Sequence, residues 1–163
     1  MRRAGLHRNA DKGARHVGAA LGARGAGQAG EAPGEDAAEC LDGLEYLRTA
    51  TLGLPYPDHV GKRVVVIGGG FTSMDCARTS VRQGASEVTL VYRRDMKDMP
   101  ASNEVHEAIE EGVTAIFQAG PTRVIKDETG TTTGIEFIRM QLGEPDASGR
   151  RRPEPAAGPE FIL

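Results

Sequence analysis

"RVVVIGGGFTSMDCARTSVRQGASEVTLVYRR", residues 63–94, decides how the rest of the chain is read. Val64, Val65, Val66 and Ile67 make an unbroken β-branched run, the pattern of a strand buried on both faces of a parallel sheet. Three glycines follow at once, and then Met74, Ala77, Arg78 and Val81 recur at helical intervals up to Gly84, a stop residue. "SEVTLVYRR", 86–94, is a second β-rich run. Strand, glycine turn, helix and strand in this order are a βαβ unit with a right-handed crossover.

In a chain with 22 glycines a glycine pair is weak evidence, but its placement here adds weight. Gly68 and Gly70 lie between a strand and a helix, where a dinucleotide fingerprint belongs. Gly68 permits the tight turn, and Gly70 lets backbone approach a pyrophosphate that free amides at the helix start would hold. The third fingerprint position is Ser73, small enough for close packing of helix on strand. Gly69, Phe71 and Thr72 complete the candidate binding turn. The competing reading is a plain turn in another kind of α/β domain.

The end of the second strand selects the dinucleotide. An Asp or Glu there would suit a free ribose 2′-hydroxyl. This chain has Tyr92, Arg93 and Arg94 instead, and paired guanidiniums suit a 2′-phosphate, which points to NADP(H). Tyr92 or one of the arginines could stack on adenine, whereas the plainer reading makes "RRDMKD" a solvated loop of mixed charge. A methyltransferase-like domain, whose turn binds a nucleoside without pyrophosphate, would want an acid at this strand end.

Downstream, "ASNEVHEAIEEG" sets Val105, Ala108 and Ile109 on one helical face before Gly112, and "VTAIFQ" is a third strand. "TRVIKDETGTTTGIEFIRMQL" alternates like two antiparallel strands around a turn at "DETG". "GEPDASGRRRPEPAAGPE" reads as a loop, and the final "FIL" as the start of a strand. Upstream, residues 37–50 space Leu41, Leu44, Tyr46 and Leu47 as a short amphipathic helix, and "TLGLPYPDHVGK" is a connector. The fold class expected is α/β: a Rossmann-like domain with a three-stranded parallel core, flanking helices and an antiparallel meander. The divisions expected are an irregular or disordered basic tail over 1–30, a connector over 31–60 and a dinucleotide-binding domain over 61–163.

The 163 residues amount to one domain, and 39% hydrophobic with 26% charged residues is ordinary for a globular protein. A net charge of −3 gives no generic attraction to nucleic acid or to anionic membrane, and no run is long enough to span a bilayer. The Arg-rich start lacks the apolar stretch of a secretory signal and the serines of a transit peptide, so a cytoplasmic setting is expected. An RNA-touching arm is the sharper alternative for this tail, though it lacks aromatic platforms. Cys40 and Cys76 make no CxxC, the histidines have no metal-ligand spacing, and His106 sits on an acidic helical face. No residue is assigned acid–base catalysis or metal binding, Met96 and Met99 are read as packing, and redox chemistry would come from a bound cofactor.

Taken together, the 61–94 stretch, "MPASNEVHEAIEEGV" and "DASGRRRP" resemble the NADPH-binding domain of the glutamate synthase small-subunit family. These are flavoproteins with two dinucleotide domains, related to the NADPH half of dihydropyrimidine dehydrogenase and to electron-bifurcating ferredoxin:NADP oxidoreductases. The resemblance runs over about residues 31–163, since "PGED" and "LDGLEYLR" match the connector before that domain. It implies a flavin-dependent oxidoreductase in which NADPH delivers hydride to FAD, with onward transfer through iron–sulfur clusters to a partner subunit. By position, Gly68, Gly70 and Ser73 would bracket the pyrophosphate, Arg93 and Arg94 would hold the 2′-phosphate, and Asp75 would lie towards the nicotinamide. Phe71 departs from the family, which usually has Asn there. The cysteine-rich region and the FAD fingerprint are missing, so the expectation is a fragment: 31–60 would be the connector from an incomplete FAD domain, and 61–163 an NADPH-binding domain truncated before its last strand. It would bind NADP(H) but not FAD, be inactive alone, and be completed by the remaining FAD-binding portion and a large catalytic or iron–sulfur subunit. The rival is a non-catalytic dinucleotide-sensing or interaction domain.

Overall fold

The computed structural model describes residues 17–22, 32–54, 59–149 and 151–163. Five strands form one parallel sheet in the order β2-β1-β3-β4-β5. They are β1 (Val17–Gly22), β2 (Cys40–Asp42), β3 (Arg63–Ile67), β4 (Glu87–Tyr92) and β5 (Val113–Phe117). Helix α1 (Gly43–Leu52) follows β2, α2 (Phe71–Arg82) crosses from β3 to β4, and α3 (Val105–Glu110) leads into β5. The expected three-stranded core is β3-β4-β5, and the sheet continues past it on the β3 side.

Two of those strands correct the sequence reading. Val17–Gly22 lies within the tail expected to be irregular, yet it is hydrogen-bonded between β2 and β3, with Ala20 opposite both Cys40 and Val65. Its composition carries little intrinsic strand preference; pairing on both edges makes it a strand. The remainder of 1–30 lies outside the described residues. The helix expected over 37–50 begins at Gly43, because Cys40–Asp42 is β2 and Asp42 caps the start of α1. Asp42 Oδ1 accepts from the amides of Leu44 and Glu45 at 3.0 and 3.1 Å.

The alternation of β3 divides the core between two faces. Val64 and Val66 point to the helices, packing in a cluster with Tyr46, Met74, Ala77 and Leu90. Val65 points the other way, towards Val91, Ala119, Ile135 and Phe137. The last three of these belong to a second, antiparallel sheet of β6 (Ala119–Lys126), β7 (Thr132–Pro145), β8 (Arg151–Pro155) and β9 (Phe161–Ile162). β6 and β7 are the expected meander, and β9 is the short strand foreseen at "FIL", paired with β7. The segment expected as a loop over 143–160 is different: β7 runs on to Pro145 and β8 returns beside it as a hairpin. Among the described residues no helix is long and apolar enough to cross a membrane.

Candidate functional site

The sheet order reverses at β3: β4 and β5 extend it one way, β1 and β2 the other. In open sheets of this kind, ligands bind beyond the carboxyl ends of the strands at such a reversal. Gly22 and Ile67 are paired, as are Ile67 and Val91, so β1, β3 and β4 finish along one edge. The glycine turn and the arginine pair project from that edge.

Each residue of the turn is held for a different reason. Gly68 has φ +144°, and a Cβ there would stand 2.3 Å from Ser73 Oγ. At Gly69 a Cβ would come within 2.6 Å of two atoms of the Tyr92 ring. Both positions are therefore closed by the protein itself. Gly70 is the opposite case: a Cβ there would meet nothing within 4 Å among the described residues, at the start of the helix. Gly70 is the N-cap of α2 and supplies no side-chain cap, so the first amides, those of Phe71 and Thr72, have no carbonyl one turn back. Ser73 is 1% exposed, and among the described residues its Oγ has no hydrogen-bond partner. A buried, unsatisfied hydroxyl beside the leading amides of a 12-residue helix is a donor set suited to an anion.

Tyr92, Arg93 and Arg94 close β4 one strand away. Tyr92 is not a free stacking platform: its ring underlies Gly69, and its hydroxyl donates to Asp98 O at 3.1 Å. It is the floor beneath the glycines. Arg93 is exposed and Arg94 half-buried. The loop after them is not loosely solvated. Met96–Asp98 and Ser102–Glu104 are single 3-10 turns, Met99 is buried, and the Ala101 amide donates to Gly69 O at 3.2 Å. Phe71 is exposed beside the turn, and Asp75 is exposed one helical turn further on.

Two residues missed by sequence reasoning also meet this edge. Gln118 has φ +54° without being glycine; its amide donates to Arg94 O at 3.0 Å, and its carbonyl accepts from Met140 at 2.8 Å. Arg151, on the β7–β8 hairpin, accepts through its backbone carbonyl a hydrogen bond from Arg94 Nη2. The "RRRP" run was a visible signal for Arg151, whereas nothing local marks Gln118.

Neither cysteine is poised as a nucleophile. Burial pushes the Cys76 thiol up to about 12, and its Sγ donates to Gly43 O at 3.4 Å behind α2. Burial likewise takes Cys40 to about 11, with Glu35 and Glu39 adding to the shift. His106 is exposed, as its acidic helical face suggested, and Met96 and Met99 pack into the helix-side core.

A family model described as pyridine nucleotide-disulphide oxidoreductase matches residues 12–146. Over 122 residues the chain is 56% identical to an NADPH-Fe(3+) oxidoreductase subunit beta of Geobacter sulfurreducens, covering 74% of this chain and 18% of that protein. It is 52% identical over 110 residues to the glutamate synthase [NADPH] small chain of Escherichia coli K12, covering 67% and 23%. The chain thus spans about a fifth of the length of these curated relatives. Among solved structures, thioredoxin reductase from Lactococcus lactis superposes with a TM-score of 0.51 at 17% identity, over 83% of this chain and 40% of that one. That likeness concerns fold alone.

Proposed function

The chain belongs to the pyridine nucleotide-disulphide oxidoreductase family, and from that premise we propose that it is the NADPH-docking module of a flavin-dependent oxidoreductase resembling the glutamate synthase small subunit. One observation carries the reading. At the sheet's reversal, among the described residues, an unpartnered serine is aimed back at Gly68, Gly70 leaves its space empty, and two arginines close the neighbouring strand.

The residues present fit the dinucleotide. Gly68, Gly69 and Gly70 bring backbone to the pyrophosphate, and the Phe71 and Thr72 amides with Ser73 Oγ donate to it; the helix dipole adds favourable charge. Arg93 and Arg94 take the 2′-phosphate through charge-assisted hydrogen bonds. Tyr92 keeps the turn in shape from below, and Asp75 faces the nicotinamide end. When bound, NADPH supplies a hydride to FAD carried by another portion of the same protein. This chain's part is to bind and orient, which makes the transfer effectively intramolecular. The relatives named as a beta subunit and a small chain support a further large or iron–sulfur subunit as the electron-accepting partner.

The test is a titration of the purified chain with 2′-phospho-ADP-ribose and with ADP-ribose. The first should bind at least about tenfold more tightly, as one lost charge-assisted contact pair implies. Replacing Arg93 and Arg94 together with alanine should erase the preference while leaving ADP-ribose affinity in place. Equal affinity of the unaltered chain for both ligands would remove the NADP(H) assignment.

A further inference from the structure

Arg94 is held at two points by segments far away in sequence. Its carbonyl accepts from the amide of Gln118, and its guanidinium donates through Nη2 to the carbonyl of Arg151 on β8. Arg151 in turn is tied into its own hairpin. Its Nε donates to Gly143 O at 2.7 Å and its Nη2 to Leu142 O at 3.0 Å. Those carbonyls lie at the irregularity between Leu142 and Pro145, where the β7–β8 register shifts. The side chain of Arg151 therefore clamps the bulge, and its backbone oxygen faces Arg94. The tip is shaped as well: Asp146 Oδ1 accepts from the Ser148 amide at 2.9 Å, and Asp146 O from the Gly149 amide at 2.8 Å.

We infer that the β7–β8 hairpin is the third wall of the 2′-phosphate pocket, and that Arg151 is a positioning residue that orients the Arg94 guanidinium towards the anion. The inference rests on the NADPH reading given above and deepens it. An arginine has five N–H donors. Spending one on Arg151 O fixes the plane of the fork and leaves the other terminal N–H groups to a ligand. Arg94 Nε is shielded from solvent and has no hydrogen-bond partner among the described residues, so the side chain is held with donor capacity unspent. A guanidinium already held in place loses less freedom when a phosphate arrives. The effect is orientation rather than field. Over residues 143–155 the three arginines Arg150, Arg151 and Arg152 are balanced by Glu144, Asp146 and Glu154. A hairpin of no net charge adds little attraction of its own.

The experiment measures Kd for 2′-phospho-ADP-ribose and for ADP-ribose, by calorimetry, on the full 163-residue chain and on Arg151→Ala, Arg151→Lys and the Arg93→Ala/Arg94→Ala pair. Arg151→Ala should lower the preference for the phosphorylated ligand about five- to tenfold, with ADP-ribose affinity unchanged. Arg151→Lys, which keeps the charge but not the two-pronged grip on the bulge, should fall between. If Arg151→Ala keeps the full preference while the Arg93/Arg94 pair loses it, the hairpin proposal is overturned and the NADPH reading stands. Equal loss of both ligands would make Arg151 a general fold residue and overturn the proposal too. No preference in the unaltered chain would overturn both. Far-UV circular dichroism checks that each variant is folded, and Arg151→Lys decides the matter where the alanine variant is not.

Discussion

The glycine turn and the β7–β8 hairpin reach the same edge of the molecule and are secured by opposite means. At the turn, positions are fixed by exclusion: a methyl group at Gly68 or Gly69 would overlap Ser73 or Tyr92. At the hairpin, positions are fixed by attraction, with arginine donors reaching across open carbonyls on exposed strands. Close packing is unforgiving of added volume but indifferent to pH, whereas polar stitching tolerates shape changes and responds to charge. For the proposed cofactor site the division is useful: the glycine turn is rigid, and the edge at Arg94 and Arg151 can be tuned.

The contrast breaks most visibly at Gly69. Gly69→Ala should cost about 1–3 kcal/mol by overpacking against Tyr92, lowering Tm by about 3–10 °C in a chain of this size. An unchanged melting curve would show that the ring is not fixed beneath the turn. A smaller effect should follow Tyr92→Phe, which keeps the ring and deletes only the hydrogen bond to Asp98 O. About 0.5–1.5 kcal/mol should be lost in denaturant titration, with faster amide exchange in the 95–101 loop. The smallest effect belongs to the polar side and appears only in acid. Arg123 donates to both carboxylate oxygens of Glu136, at 2.9 and 3.0 Å, and holds that group below the usual glutamate range; burial pulls the other way, and Thr122 Oγ1 reinforces Arg123. A depressed folded pKa gives stability that is fully present above the unfolded value and is lost as pH falls through the folded one. Between about pH 6 and about pH 3, Glu136→Gln should therefore lose Tm less steeply than the unaltered chain. Parallel curves would contradict the assignment.

How much was legible in the sequence divides along the same line. β3, α2, β4, α3 and β5 announce themselves because a buried parallel strand needs a β-branched run and a crossover helix needs its periodic face, both local signals. The turn residues and the arginine pair were readable for the same reason. β1 and β8 were not. "VGAALG" becomes a strand because two partners flank it, and "RRPEP" because β7 continues far enough to pair with it. Pairing is a property of the partner, and composition does not carry it. Gly69 shows the limit most sharply: its glycine was plain to see, but the requirement for it comes from a ring on the next strand.

The seat of β1 inside the sheet has a consequence for how the chain is made. Both of its neighbours, Cys40–Asp42 and Arg63–Ile67, are synthesised after it, so Val17–Gly22 cannot be covered on both edges until residue 67 has left the ribosome. Until then an early segment waits with amides and carbonyls open to any passing strand. Once β3 has emerged β1 is enclosed, and the sheet then grows outward on the β3 side as β4 and β5 are made.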